Sequence, residues 1–341
     1  MDCKNSFTLQ ALTVNYNFLR SSYKMISRRL LRIKTLQICY AYFKSDGQTI
    51  NQAEKELFFS IQKSYDLYHY LLLLVIDVVD YAESRIDLAR NKKMPTYEDL
   101  NPNTKFIDNR LVKALRENTD LKKYLSYQKL SWTNYPELIK NLYNEIRESE
   151  AYKKYMESTV KGFNEDKKFI SDIYSKVIIN YEPLYQNLEE QSIFWNDDVD
   201  FVIGMIIKSL RAFKASSDED VKLMPLYKNE EDRDFVKRLF RKAILNHKEN
   251  EELISKFIKN WDVERVAFMD IVVMSLAISE MIEFSEIPVK VSLDEYIEIA
   301  KYYSTQKSNI FINGILDKTV EHLKKEGKIK KVGRGLIGEV N

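Results

Sequence analysis

Helix breakers are scarce in this chain. Its 341 residues hold 8 Gly and 6 Pro, and four of the glycines (Gly327, Gly333, Gly335, Gly338) crowd into the last fifteen positions. An all-β fold of this length would need a turn about every ten residues, each with its own Gly, Pro or Asn signal. A long helix needs such signals only at its ends. The expected fold class is therefore all-α, and strand-like alternation of apolar and polar residues is absent. An apolar content of 45% against 30% charged residues leaves enough hydrophobic material for a globular core.

Helical spacing then places the elements. Leu36, Cys39, Tyr40 and Phe43 form one stripe, Ser27 is an expected N-cap, and Asp46-Gly47 ends that helix. A long helix is expected from about Gln52 to Asn91, with Leu67, Leu71, Leu74, Val78 and Tyr81 on one side. The charge-free run Leu67 to Ile76 inside it is half the length a membrane span needs, so it reads as the buried middle of a helix. Pro95 and Pro102 bracket a loop. Further helices are expected near 104–128, 136–158, 163–180, 184–191 and 196–214, rich in Tyr and Phe that serve as core. Ser216 to Asp220 and Pro225 mark a boundary. Beyond it the spacing predicts helices at 230–247, 250–259, 262–284, 292–304 and 308–325. Of these, 262–284 is apolar on most sides, and Ser292 with Glu295 reads as a capping box. Residues 1–24 have weak periodicity, so Met25 is the expected start of translation, or else the segment is a disordered arm.

Chemistry-bearing patterns are few. Cys3 and Cys39 are too far apart for a disulfide framework or a paired-Cys metal site, which fits a reducing, cytoplasmic setting. His69, His247 and His322 are scattered, and no glycine-rich phosphate or dinucleotide motif occurs. No secretory signal is recognisable at the N-terminus. Neither a catalytic residue, nor a metal, nor a cofactor is expected, and the chain does not read as an enzyme. Charge is uneven: residues 1–44 contain eight Lys or Arg against Asp2 alone, although the whole chain carries only +2. Arg28, Arg29 and Arg32 open a helix with no acid beside them, against the preference of a helix N-terminus for anions. A polyanion would relieve that conflict, and guanidinium groups suit phosphate and base stacking. A solvated basic face remains the alternative.

The segment RRLLRIKTLQICYAY at 28–42, with its Arg-rich opening and Gln37 and Tyr40, resembles the first helix of the NusB family of transcription antitermination factors. Further similarity runs in order through Trp261, Glu264-Arg265, Asp270, Glu280, Pro288, the run 291–295, Ala300-Lys301 and the segment 311–317. It covers 27–45 and about 232–325. The resemblance implies a NusB-like pair of roughly perpendicular helical bundles, here enlarged by an inserted helical region at 50–230. The organisation then expected is an N-terminal extension (1–24), a first basic helix (25–49), the insertion, a C-terminal bundle (231–326) and a basic flexible tail (327–341). It further implies binding of boxA-type single-stranded RNA from ribosomal RNA leader transcripts, together with ribosomal protein NusE, within an RNA polymerase antitermination complex. No membrane and no small-molecule substrate is implied. By similarity, Arg28, Arg29, Arg32, Tyr40, Lys301, Lys307 and Phe311 would contact RNA, and Asp270 and Glu280 would face the protein partner. Tyr40 and Phe311 also lie on apolar stripes, so core packing is open for both. A different reading is a helical protein-interaction scaffold dominated by the insertion, with RNA binding lost.

Overall fold

The computed structural model describes residues 28–215, 221–227, 229–258, 266–305 and 307–338. Among them the chain is all-α, with short 3-10 turns and no strand. The sequence readings at Ser27, Met25, 1–24, Trp261 and Glu264-Arg265 lie outside the described residues. Packing divides the chain into two units, one built from Ile26–Ile61 with Tyr227–Asn341 and the other from Gln62–Leu226.

The first, split unit contains α1 (Arg28–Lys44) and the opening turns of α2 (Ile50–Arg90). Gly47, at φ +82, takes the left-handed conformation that turns the chain between them. Thr49 and Gln52 then form a reciprocal cap: the Thr49 hydroxyl accepts from the Gln52 amide, while the Gln52 side-chain oxygen accepts from the Thr49 amide at 2.9 Å. The expected boundary at 49/50 moves to Ile61/Gln62 for a physical reason. Ala53 and Leu57 are fully buried, Glu54 pairs with Arg241, and Asn51 accepts from the same guanidinium at 3.0 Å. These contacts bind the start of α2 to α11 (Glu230–Leu245).

The rest of the split unit is α12 (His247–Phe257), α13 (Phe268–Glu283), α14 (Val289–Tyr303) and α15 (Ser308–Lys325). Helix α13 is buried from Val272 to Met281, as an all-round apolar helix must be, and α1, α11, α12, α14 and α15 all pack on it. The capping box expected at Ser292 and Glu295 is not formed. Helix α14 begins earlier, after Pro288, and both residues lie inside it with side chains directed elsewhere. The tail expected to be flexible is docked over its described part. Lys331 Nζ donates to the carbonyls of Met281 and Phe284 at 2.8 and 2.9 Å, satisfying orphan acceptors at the end of α13. The Val332 amide donates to the Ser285 carbonyl at 3.1 Å.

The second unit is organised on the remainder of α2. It adds α3 (Tyr97–Leu100), α4 (Arg110–Glu117), α5 (Thr119–Gln128), α6 (Pro136–Glu148), α7 (Glu150–Glu157), α8 (Phe163–Lys176), α9 (Glu182–Gln191) and α10 (Val199–Ala212). Leu67, Tyr68, Leu71, Leu72, Leu74 and Val78 are fully buried. Aromatic side chains close on this helix with their polar tips satisfied by its carbonyls. Trp195 Nε1 donates to Lys63 O, Trp132 Nε1 to Tyr70 O and Tyr174 OH to Leu71 O, at 2.8, 3.0 and 2.7 Å. No described helix is long and apolar enough to cross a membrane. The helices expected as continuous at 104–128 and 136–158 are each broken. Asn118 ends α4 and caps α5, and Ser149 does the same between α6 and α7.

Candidate nucleic-acid interface

The Arg-rich start of α1 meets carboxylates of the same unit. Arg28 Nε donates to Asp232 Oδ1 at 3.0 Å, with its guanidinium over the Phe235 ring. Arg29 makes a two-pronged pair with Glu295 at 2.8 Å on both arms. Arg32 makes another with Glu280 at 2.7 Å on both arms, and its side chain is 4% exposed against 0% for that of Glu280. The Glu280 carboxylate also accepts from Ser292 Oγ at 2.8 Å and Tyr296 OH at 3.0 Å. Four donors therefore saturate one buried carboxylate, which is what makes a buried charge tolerable. Burial works against the Arg32 charge, but Glu280 beside it more than offsets this and holds the guanidinium protonated. Burial also pushes Glu295 upward, and Arg29 and Arg32 override it, keeping that carboxylate below its ordinary value.

This geometry corrects two expectations. Arg32 is enclosed and cannot reach a phosphate, and Glu280 has no surface to offer a partner. The conflict between cations and the start of α1 is relieved by Asp232, Glu280 and Glu295 from α11, α13 and α14 rather than by an external polyanion. Arg28 keeps 40% of its side chain exposed and Arg29 keeps 27%, but both are paired.

Asp270, expected at a partner surface, is 4% exposed and also points inward. It accepts from Ser304 Oγ and, at 2.9 Å, from Ser308 Oγ. Thr305 and Ser308 share a further hydroxyl bond at 2.7 Å. The start of α13 thus holds the connection between α14 and α15. Gln37 Nε2, in the middle of α1, donates to Tyr303 OH at 3.3 Å. These links gather the C-terminal half of α1, the start of α13 and the α14–α15 connection at one end of the split unit.

That end carries the other sequence-derived residues. Tyr40 is half-buried, its ring 5.5 Å from that of Phe268. Lys44 Nζ lies 4.3 Å from the Phe268 centroid, and Phe43 stacks on His247 at 3.9 Å. Lys301 and Lys307 are exposed and Phe311 is half-buried. Lys301 pairs with Glu298, while Tyr302 is 54% exposed beside it. Arg28, Arg29 and Arg32 lie about 12–18 Å along the axis of α1 from Tyr40, so the expected residues divide into two groups. Lys44, Phe268 and Tyr302 were not among the expected contacts. The i, i+4 spacing of Tyr40 and Lys44 was the available signal for the first, whereas Phe268 joins them only through the fold.

What the described residues define is an all-helical protein whose split unit ends in a surface of lysines and aromatic rings. Among them, no group of three or more His, Cys, Asp or Glu could hold a metal ion. A model of the NusB family matches residues 205–321. The chain is 43% identical over 115 residues to the transcription antitermination protein NusB of Salinibacter ruber, spanning 34% of this chain and 72% of that protein. It is 43% identical over 105 residues to the protein of the same name from Chloroherpeton thalassium, covering 31% and 50% of the two chains. For that of Natranaerobius thermophilus the figures are 37% over 91 residues, 27% and 66%. No solved structure matches the chain. The chain belongs to the NusB family. The family match begins within α10 and ends in α15, leaving α1 and most of the unit 62–226 outside it.

Proposed function

We propose that this chain is a non-enzymatic transcription antitermination factor that binds boxA-type single-stranded RNA of ribosomal RNA leader transcripts together with ribosomal protein NusE. The observation that carries the reading is the cluster of Tyr40 and Lys44 on Phe268, with the α14–α15 connection between Lys301 and Lys307 tied to the same end of α13 through Asp270, in a chain of this family. Single-stranded RNA is held by cations along its backbone and by aromatic rings on which its bases stack. In this reading the lysines are the backbone contacts, and Tyr40 and Phe311 offer ring surface to bases. The three arginines act indirectly, by fixing α1 against α11, α13 and α14. Asp270 likewise acts by holding the loop that presents Lys307.

The test is a titration of a fluorescent boxA-like RNA and a scrambled control with the full chain, alone and with NusE from the same source. The expected result is tighter binding of the boxA-like strand, strengthened further by NusE. Equal, weak binding of both strands, unchanged by NusE, would reject the proposal.

A further inference from the structure

The unit 62–226 has a polar cleft of its own, about 460 Å³ in volume, between the last turns of α2 and the outer face of α6. Two helical stripes build it. On α2, Tyr81, Arg85 and Ala89 recur every fourth residue, and Ala89 leaves room at one wall. On α6, Lys140, Tyr143, Asn144 and Arg147 share one face, while Ile139, Leu142 and Ile146 bury the other. Tyr81 and Tyr143 meet edge to face at 5.4 Å, and the Arg147 guanidinium stands 5.7 Å from the Tyr143 centroid.

The cations around this cleft are not alike. Lys92 is held by Asp99 at 2.8 Å and Lys140 by Glu137 at 3.0 Å. Nearby on the same unit, Arg116 is paired with Asp80 and Arg90 with Asp87. Arg85 and Arg147 have no carboxylate within ion-pair distance among the described residues, yet both are exposed and both act on the Tyr143 hydroxyl. Arg147 stands over the Tyr143 ring and Arg85 lines the same cleft; burial raises the affinity of the Tyr143 hydroxyl for its proton, and the two guanidinium groups oppose it. Two unpaired guanidinium groups flanking paired tyrosine rings form a receptor for an anion attached to a flat ring. The exposed Glu98, also on the lining, can accept from a hydroxyl or amino donor.

We propose that this cleft is a second RNA subsite, taking a single nucleotide with its phosphate on Arg85 and Arg147 and its base against Tyr81 and Tyr143. The proposal shares with the preceding section the premise that this chain meets RNA, but it rests on different residues. Glu98 and Asp99 also line the cleft, but among the described residues no carboxylate lies within ion-pair distance of either arginine, in contrast to the arginines of α1.

Photocrosslinking of a single-stranded RNA containing 4-thiouridine to the full chain, with the crosslinked peptides mapped, tests it. The expected result is crosslinks within 81–92 and 140–147 that persist in a Lys301→Ala, Lys307→Ala variant and are lost in Arg85→Gln, Arg147→Gln. The arginine variant should also bind RNA with a log–log salt slope shallower by about 1.4, the contribution of two phosphates. Both arginines are exposed and unpaired, so that variant should melt like the parent chain. Crosslinks confined to the lysine-bearing end of the split unit would overturn the cleft while leaving the earlier reading intact. Crosslinks confined to the cleft would uphold it and count against the earlier reading. No crosslinks at all would reject both.

Discussion

Truncating Arg32 to Ala would leave the Glu280 carboxylate enclosed with only Ser292 and Tyr296 as donors. Breaking a buried pair in this way costs about 3–5 kcal/mol, so Arg32→Ala should lower the denaturant midpoint of the split unit steeply. Arg32→Lys should recover little of it, because an ammonium cannot supply two parallel donors to Glu280 while its stem fills the same space. Equal stability of both variants and the parent in urea would refute the structural role assigned to this arginine. His69 offers a pH-dependent counterpart in the other unit. Burial lowers it from 6.5 to about 4, against the Tyr65 carbonyl beside its Nδ1 and the carboxylates of Asp66 and Asp120, which favour the charged form. The unfolded chain therefore binds a proton below pH 6.5 that the folded unit refuses until about pH 4. Stability is complete above that window and falls as pH drops through it, by about 3 kcal/mol from this one ring. Amide protection factors within α2, corrected for the intrinsic pH dependence of exchange, should fall between pH 6.5 and 4, and His69→Phe, which keeps the stack on Tyr124, should flatten that dependence.

At the scale of elements, two polar side chains set where helices end. Asn118 Oδ1 accepts from the Leu121 amide at 3.0 Å, and Ser149 Oγ accepts from the Tyr152 amide at 3.2 Å. Asn118→Ala should cost about 2 kcal/mol, measured by thermal melting, because it removes both the cap of α5 and the donor to the Val221 carbonyl at 2.7 Å. Gly335 is a harder stop. A β-carbon there would overlap the Ser285 carbonyl oxygen, a backbone atom that cannot swing away. Gly335→Ala should release the tail from α13, read as new protease cleavage between Lys328 and Lys331, whereas wild type should resist. Helix periodicity was legible because apolar spacing alone sets it, and the buried middle of α2 and the central α13 followed directly. The breaks at Asn118 and Ser149 were not, since a cap differs from a solvated Asn or Ser only once the next turn is in place. The opposite error occurred at Ser292 and Glu295, whose spacing fits a capping box. Their side chains are drawn inward to Glu280 and Arg29 by partners remote in sequence.

For the whole molecule, the sequence conveyed an all-α chain of the NusB family with additional helices. That the packing unit of α1 runs on to Ile61 was not legible, because Glu54 and Leu57 look like any amphipathic turn until α11 is beside them. The candidate site was half legible. Tyr40 lies against Phe268, whereas Arg28, Arg29 and Arg32 are paired with carboxylates more than 200 residues away in sequence. Net charge in a segment says nothing of where its counter-charges fold to. RNA affinity should therefore depend on lysines at the aromatic end of the split unit.

Salt dependence of binding to a boxA-like strand measures this most directly. Three lysine contacts contribute about −2 to the log–log slope, and Lys44→Ala, Lys301→Ala, Lys307→Ala together should remove that contribution. A slope unchanged by that triple substitution, in a chain that still melts as the parent does, would contradict the account.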